Sequence, residues 1–122
     1  MVTVRNWRDA SPHVSHDNAI VHYMLGEKGT DTRSLEAVLE GGWSMSRHMI
    51  QGGRSGDYHE HEDREQVFYI TRGRGKMLVD GKTYDTVEGD AVHVPPKTKH
   101  QTINDSDDWL ELLVISARVV GE

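Results

Sequence analysis

An all-β sandwich or barrel, closed in a single domain, is what this 122-residue sequence predicts. Three observations carry that expectation. Short runs with period-two alternation recur along the chain. β-Branched and aromatic residues are concentrated in those runs. Glycine, proline and Asp-Gly signals separate them, the pattern of many short strands joined by turns.

Each element can be justified in order. Residues 1 to 19 are polar and mixed, and read as an arm lying across the domain. Ala19 to Leu25 (AIVHYML) is a strand, and Gly26 to Ser34 a loop. Leu35, Ala37 and Leu39 share one face of the next strand, with Glu36 and Glu40 opposite. Gly41-Gly42 ends it, Trp43 to Ile50 is another strand, and QGGRSGD follows as turns. Gln66 to Thr71 (QVFYIT) has strand composition, and RGRG turns the chain. KMLVDGKTYDT is a hairpin, in which Asp80-Gly81 suits the two positive-φ positions of a type I′ turn. Ala91 to Val94 is a short strand stopped by Pro95-Pro96, and Trp109 to Ile115 is the last long apolar strand. Only the N-terminal third leaves room for a short helix. The expected division is an arm and first strands over residues 1–40, a barrel core over 41–116, and a tail over 117–122.

Composition narrows the function. Fourteen basic against twenty acidic residues give a net charge of -6, and no basic stripe stands out, which argues against nucleic acid. The same balance argues against an anionic membrane surface. No run reaches membrane-spanning length, and the N-terminus lacks a signal-peptide apolar core, so a cytoplasmic protein is expected. Cysteine is absent, which removes thiol chemistry. Eight histidines are the compositional oddity.

Two of them stand in HEHEDREQ, His59 to Gln66. In an extended chain residues i and i+2 project to the same side, so His59 and His61 can share a cation. His100, behind the rigid Pro95-Pro96 turn, is a third candidate. The spacing around them is regular. From Gly53, five residues lead to His59; after His61, four lead to Gln66 and six more to Gly73. From Gly89, five residues lead to Pro95, and His100 is followed after three residues by Asn104.

These stretches resemble the two signature motifs of the cupin superfamily, G-x5-H-x-H-x(3,4)-E-x6-G and G-x5-P-x-G-x2-H-x3-N. The resemblance covers residues 41 to 116. It implies a double-stranded β-helix (jelly-roll) barrel holding one divalent metal ion (Fe, Ni, Mn or Zn) through His59, His61, a motif-one acid and His100. Two positions depart from the pattern. Lys97 replaces the second motif's glycine. In the first motif, Gln66 preserves the six-residue spacing to Gly73 and faces inward with Phe68 and Ile70, so it is expected at the ligand position, with Glu65 as the alternative.

A carboxamide there leaves a divalent site with three neutral imidazoles at a charge of about +2 rather than +1, which favours an anionic oxygen ligand. Some cupins resembling this chain at HxHxxxxQ process unsaturated uronates, and others are Fe(II) dioxygenases. The expected function is therefore a metal-dependent isomerase, lyase or dioxygenase acting on a small oxygenated anion. A binding module for a sugar or organic acid is the alternative, and a barrel with a vestigial site the third class. Arg47 is a candidate clamp for a substrate carboxylate, with His48 alternating against it. Tyr69 and Tyr58 are candidate proton donors. His93 is read as a wall or surface residue, His13, His16 and His22 as incidental, and Glu60, Glu62, Asp63 and Glu65 as a solvated rim. Trp7, Val14, Ile20 and Val21 have no role in the motifs, so a homodimer covered by this segment is expected.

Overall fold

Ten strands follow a 3₁₀ turn at Trp7–Asp9: β1 (His13–Ser15), β2 (Ala19–Glu27), β3 (Glu36–Leu39), β4 (Trp43–Ile50), β5 (Arg64–Arg72), β6 (Arg74–Val79), β7 (Lys82–Val87), β8 (Ala91–Val94), β9 (His100–Ile103) and β10 (Leu110–Arg118). The computed structural model describes residues 1–119. The last three residues of the expected tail lie outside the described residues, and β10 itself reaches Arg118.

The larger sheet runs β1-β2-β4-β10-β5-β8, and β3 adds in parallel at the far end of β2. The smaller sheet is β7-β6-β9. The two enclose the core of a double-stranded β-helix barrel, as the motifs imply. Antiparallel register sorts the inward side chains into rows. One row is Ala19, Ile50 and Leu110; the next is Val21, His48, Leu112 and Ile70. Tyr23, Ser46, Val114 and Phe68 follow, and then Ser44, Ser116, Gln66 and Val94. The floor is apolar: Ile50, Ile70, Met77, Leu110 and Leu112 are each at most 2% exposed. Burying one such side chain stabilises the fold by roughly 1.5–3 kcal/mol. Toward the other end the rows become polar.

The sequence-expected strands form within a residue or two of their expected ends, except that β10 runs three residues past Ile115 to Arg118. The Asp80-Gly81 turn has φ of 50° and 78°, the left-handed pair a type I′ hairpin needs. Gly73 has φ 85°, and a Cβ there would lie 2.7 Å from the Trp109 carbonyl oxygen. That glycine sets the end of β5 and hence the count back to Gln66. Two strands had no readable pattern. β1 forms by pairing with β2, and β9 is the polar HQTI, ordered by pairing with β6. The arm contributes directly to the core, since Ala19 and Val21 of β2 are 1% and 0% exposed.

The second-motif turn survives the loss of its glycine by strain. Lys97 is exposed and takes φ 58°, while its N–H donates to the His61 carbonyl at 2.7 Å. A left-handed non-glycine residue costs about 1–2 kcal/mol, partly offset by the lower unfolded-state entropy of lysine relative to glycine. Lys97→Gly should therefore raise unfolding free energy by about 0.5–1 kcal/mol in denaturant titrations. A loss of stability would show that the turn carries no strain.

Candidate metal centre

Three histidines converge from two segments. His59 and His100 form a reciprocal backbone bridge, His59 N–H to the His100 carbonyl at 3.0 Å and His100 N–H to the His59 carbonyl at 2.8 Å. His61 follows His59 in the same extended stretch. One ring nitrogen of each of His59, His61 and His100 lies within 4.8 Å of the others, close enough to hold one ion.

Hydrogen bonds decide which nitrogens are available. Nδ1 of His100 lies 3.0 Å from the Thr98 carbonyl. Nδ1 of His59 lies 3.2 Å from the Asp57 carbonyl and 3.3 Å from its carboxylate. A carbonyl only accepts, so each Nδ1 carries the proton and each Nε2 keeps its lone pair. This is the outer-shell arrangement that orients metal-binding imidazoles. Nε2 of His61, Nε2 of His100 and Oε1 of Gln66 are buried without a hydrogen-bond partner among the described residues. Buried polar atoms are rarely left so. Lone pairs left without partners on two members of the histidine cluster, and on Gln66, which lines the same cavity as His59 and His100, are what a bound cation would satisfy, and the residue set fits a divalent metal.

Gln66 and Glu65 fall on opposite faces of β5. Gln66 lines the cavity of about 30 Å³ beside the histidines. Glu65 points outward, and its Oε1 lies 2.7 Å from His93 Nε2 on the surface. The same alternation turns Tyr69 outward, where it is 43% exposed and away from the cavity, so it does not serve the site as a proton donor. Tyr58 is likewise exposed.

Arg47 requires a second correction. It alternates with His48 on β4 and lies on the outer face, 4% exposed, rather than in the cavity. Its Nε and Nη2 donate to Glu111 Oε2 at 3.0 and 2.5 Å, and its guanidinium lies 3.4 Å from the centre of the Trp7 ring. A buried cation needs such partners, so Arg47 is committed to a structural ion pair and cannot clamp a substrate. Burial pushes the Glu111 carboxyl up, but the Thr71 hydroxyl and Arg47 together hold it below its usual range. Trp7 is used within the chain here, as the arm's cover for this pair.

His48 does line the cavity, and its Nε2 lies 3.1 Å from Ser46 Oγ. Two further residues join it that sequence reasoning passed over. His16 stacks on His59 with ring centres 4.6 Å apart, and its Nδ1 lies 3.1 Å from Asp57 Oδ1. It reaches this position from the β1–β2 turn, where His16 and Asp17 take φ of 49° and 68°. Asp57 was legible in principle, since it stands two residues before His59 and shares its side. His16 had no local signal, because only the hairpin pairing carries it across.

His48, His61 and His100 are held neutral. Burial pushes His48 down to about 3, with the nearby His16 adding to the effect. Burial, then His59 and His100, pushes His61 down to about 4. Burial also lowers His100, against the Thr98 carbonyl, which favours its charged form. Neutral imidazoles are the metal-binding form.

A depressed histidine takes up its proton in the unfolded chain before it does so in the folded one. Its contribution to stability is complete above the ordinary value of 6.5 and declines as pH falls from there toward about 4 for His61 and about 3 for His48. In chelator, the denaturant midpoint should fall continuously from about pH 7 to about pH 4.5, with a shallower fall in His48→Gln. A flat wild-type profile would contradict the assignment.

Known proteins resemble this architecture. An uncharacterized protein of Methanocaldococcus jannaschii is 29% identical over 108 residues, covering 86% of this chain and 78% of that protein. The glucose-6-phosphate isomerase of Thermococcus onnurineus is 34% identical over 65 residues, which make up 49% of this chain and 34% of the isomerase. The chain thus matches only about a third of that enzyme's length. A predicted oxalate decarboxylase of Thermotoga maritima has a TM-score of 0.79 at 19% identity, over 96% of this chain and all of that one. At that identity the likeness concerns the fold alone. The family model for the cupin domain matches residues 46–116, more than half of the sequence and both histidine motifs, and this chain belongs to the cupin family.

Proposed function

We propose that this cupin binds one divalent metal through His59, His61, His100 and Gln66, and acts as a metalloenzyme on a small, oxygen-rich anion. The observation that carries the reading is the set of buried, unpartnered atoms: Nε2 of His61 and His100, and Oε1 of Gln66. Gln66 and His100 line one cavity with His59, and His61 belongs to the same histidine cluster. A divalent ion held there supplies Lewis acidity and attraction for a carboxylate or enol oxygen.

The chain's own residues define the rest of the site. Asp57 and Thr98 fix the tautomers of His59 and His100. Phe68, Ile50 and Ala19 wall the cavity and exclude bulk water. The space of about 30 Å³ admits one or two oxygen atoms of a substrate, not a whole molecule. His48, His16 and Thr102 are the remaining polar side chains beside that space, and the two imidazoles are the candidates for handling a proton. Isomerase or lyase chemistry at an oxygenated carbon suits a neutral ligand set. The likeness to the isomerase of Thermococcus onnurineus supports the isomerase side of this reading.

Elemental analysis of protein purified without chelator should give one divalent metal per chain, lost in His100→Ala. Gln66→Glu should tighten the metal about tenfold, because it restores a charged oxygen donor, a change of roughly 1.4 kcal/mol. The same variant should weaken a small carboxylate such as oxalate by a similar factor, because the site drops from about +2 to +1. If both affinities stay unchanged while Glu65→Gln loses the metal, Glu65 is the ligand and the charge argument fails.

Assembly as a homodimer belongs to the same proposal. Tyr69 and Ile115 are exposed on the outer sheet face, beside the outward residues Val67 and Leu113. An apolar strip of this kind suits a two-fold contact with a second copy. Light scattering should give twice the 13.8 kDa chain mass, and a monomer at micromolar concentration would overturn it.

A further inference from the structure

Beyond the row that contains Gln66, the barrel interior does not end. Ser44, Ser116 and Gln66 are cross-strand neighbours on the inward face. One step further out stand Arg64, two residues before Gln66 on β5, and its partner Arg118 on β10. Here a second space opens, a polar pocket of about 330 Å³. Ser44, Ser116, Arg33, Arg64 and Arg118 contribute to its lining, as do the carboxylates of Glu27 and of Asp31, whose Oδ1 accepts from the Arg33 and Ser34 N–H groups at 3.0 and 2.7 Å. The metal cavity and this pocket are therefore adjacent, separated by a single row of side chains. The pocket falls in the volume range of small-molecule sites, which the metal cavity does not.

Its polar groups are not equally committed. Arg118 pairs with Glu27. Arg33 lies 4.4 Å over the Tyr23 ring and donates Nη1 to the Tyr23 hydroxyl at 3.3 Å, which leaves its other edge for a ligand. Arg64 has, among the described residues, only Asp63 at 3.8 Å, too long for a hydrogen bond. Ser116 is 8% exposed, and its Oγ has no partner among the described residues. A buried hydroxyl without a partner is costly, and this one lines the pocket in the same row as Gln66, its cross-strand partner.

We infer that this pocket holds the anionic head of the substrate, through Arg33 and Arg64, while the other end of the same molecule reaches the metal cavity past Ser44 and Ser116. The inference rests on the metal-site reading above for the second half of that statement only. Two residues of strand place Arg64 about 7 Å from Gln66 along β5. A ligand that bridges them is a hydroxylated chain of about six bonds ending in a carboxylate or a phosphate. Guanidinium groups recognise both heads by paired N–H donors. The serine hydroxyls match hydroxyl groups along the chain. Arg64 and Arg33 take the anchoring role that Arg47, on the outer face, does not fill.

The test is calorimetry on the full-length protein with D-gluconate, sorbitol phosphate and neutral sorbitol as probes. At least one anion should bind, with sorbitol at least tenfold weaker. Which of the two anions binds more tightly identifies the head group. Arg64→Gln and Arg33→Gln should each weaken that anion at least tenfold, with metal content and thermal midpoint unchanged. In metal-depleted His100→Ala the arginine dependence should persist. If wild type contains no metal and the arginine dependence remains, the metal reading fails and the pocket stands. If wild type contains metal but the arginine variants bind as wild type does, or sorbitol binds as tightly as the anions, the pocket inference is overturned.

Discussion

The reciprocal backbone bridge between His59 and His100 is the contact on which the centre depends. It joins two segments separated by the whole β5–β8 stretch, and it does so with main-chain groups whose geometry is narrow. The Lys97 N–H to the His61 carbonyl adds a third main-chain tie between the same two segments. Imidazoles presented from so stiff a frame need little rearrangement to meet an ion. The strained φ of Lys97 is tolerated because that tie and the flanking prolines determine the turn.

A second constraint is strand alternation inside the barrel. With every inward position filled by register, the chain can vary polarity only by rows. Leucines and isoleucines close one end, serines and Gln66 come next, and arginines stand at the mouth. This gradient keeps the apolar floor buried and gathers the polar rows toward the arginines. The same alternation separates the roles of adjacent residues. Glu65 engages His93 outside, while Gln66 meets the histidines inside.

The outer face has its own charged centre. Arg47 is buried under Trp7 and paired with the half-buried Glu111, to whose Oε1 Thr71 donates its hydroxyl at 2.7 Å. Replacing Glu111 alone would leave the buried Arg47 charge without its carboxylate, which is strongly destabilising. The N-terminal segment thus does two things at once. Trp7 covers this pair on the outside, and the turn that follows β1 brings His16 to the histidine-lined cavity.

By itself the sequence determined eight of the ten strands, the type I′ turn at Asp80-Gly81 and the three histidines, because each is a local pattern or a fixed spacing. It also favoured Gln66 over Glu65, since period-two alternation counted back from Gly73 is local. It did not reveal β1 or β9, whose residues are polar and become strands only because β2 and β6 offer partners. Only the tertiary structure decided which of Arg47 and His48 faces inward, because alternation separates the two but does not say which side is the core. It alone brought in His16, forty-three residues before His59 in the chain, through a hairpin pairing. It also set Arg33, from a loop, beside Arg64, from a strand. Contacts between distant segments follow from how the sheets close, and closure is a property of the assembled barrel rather than of any stretch of it.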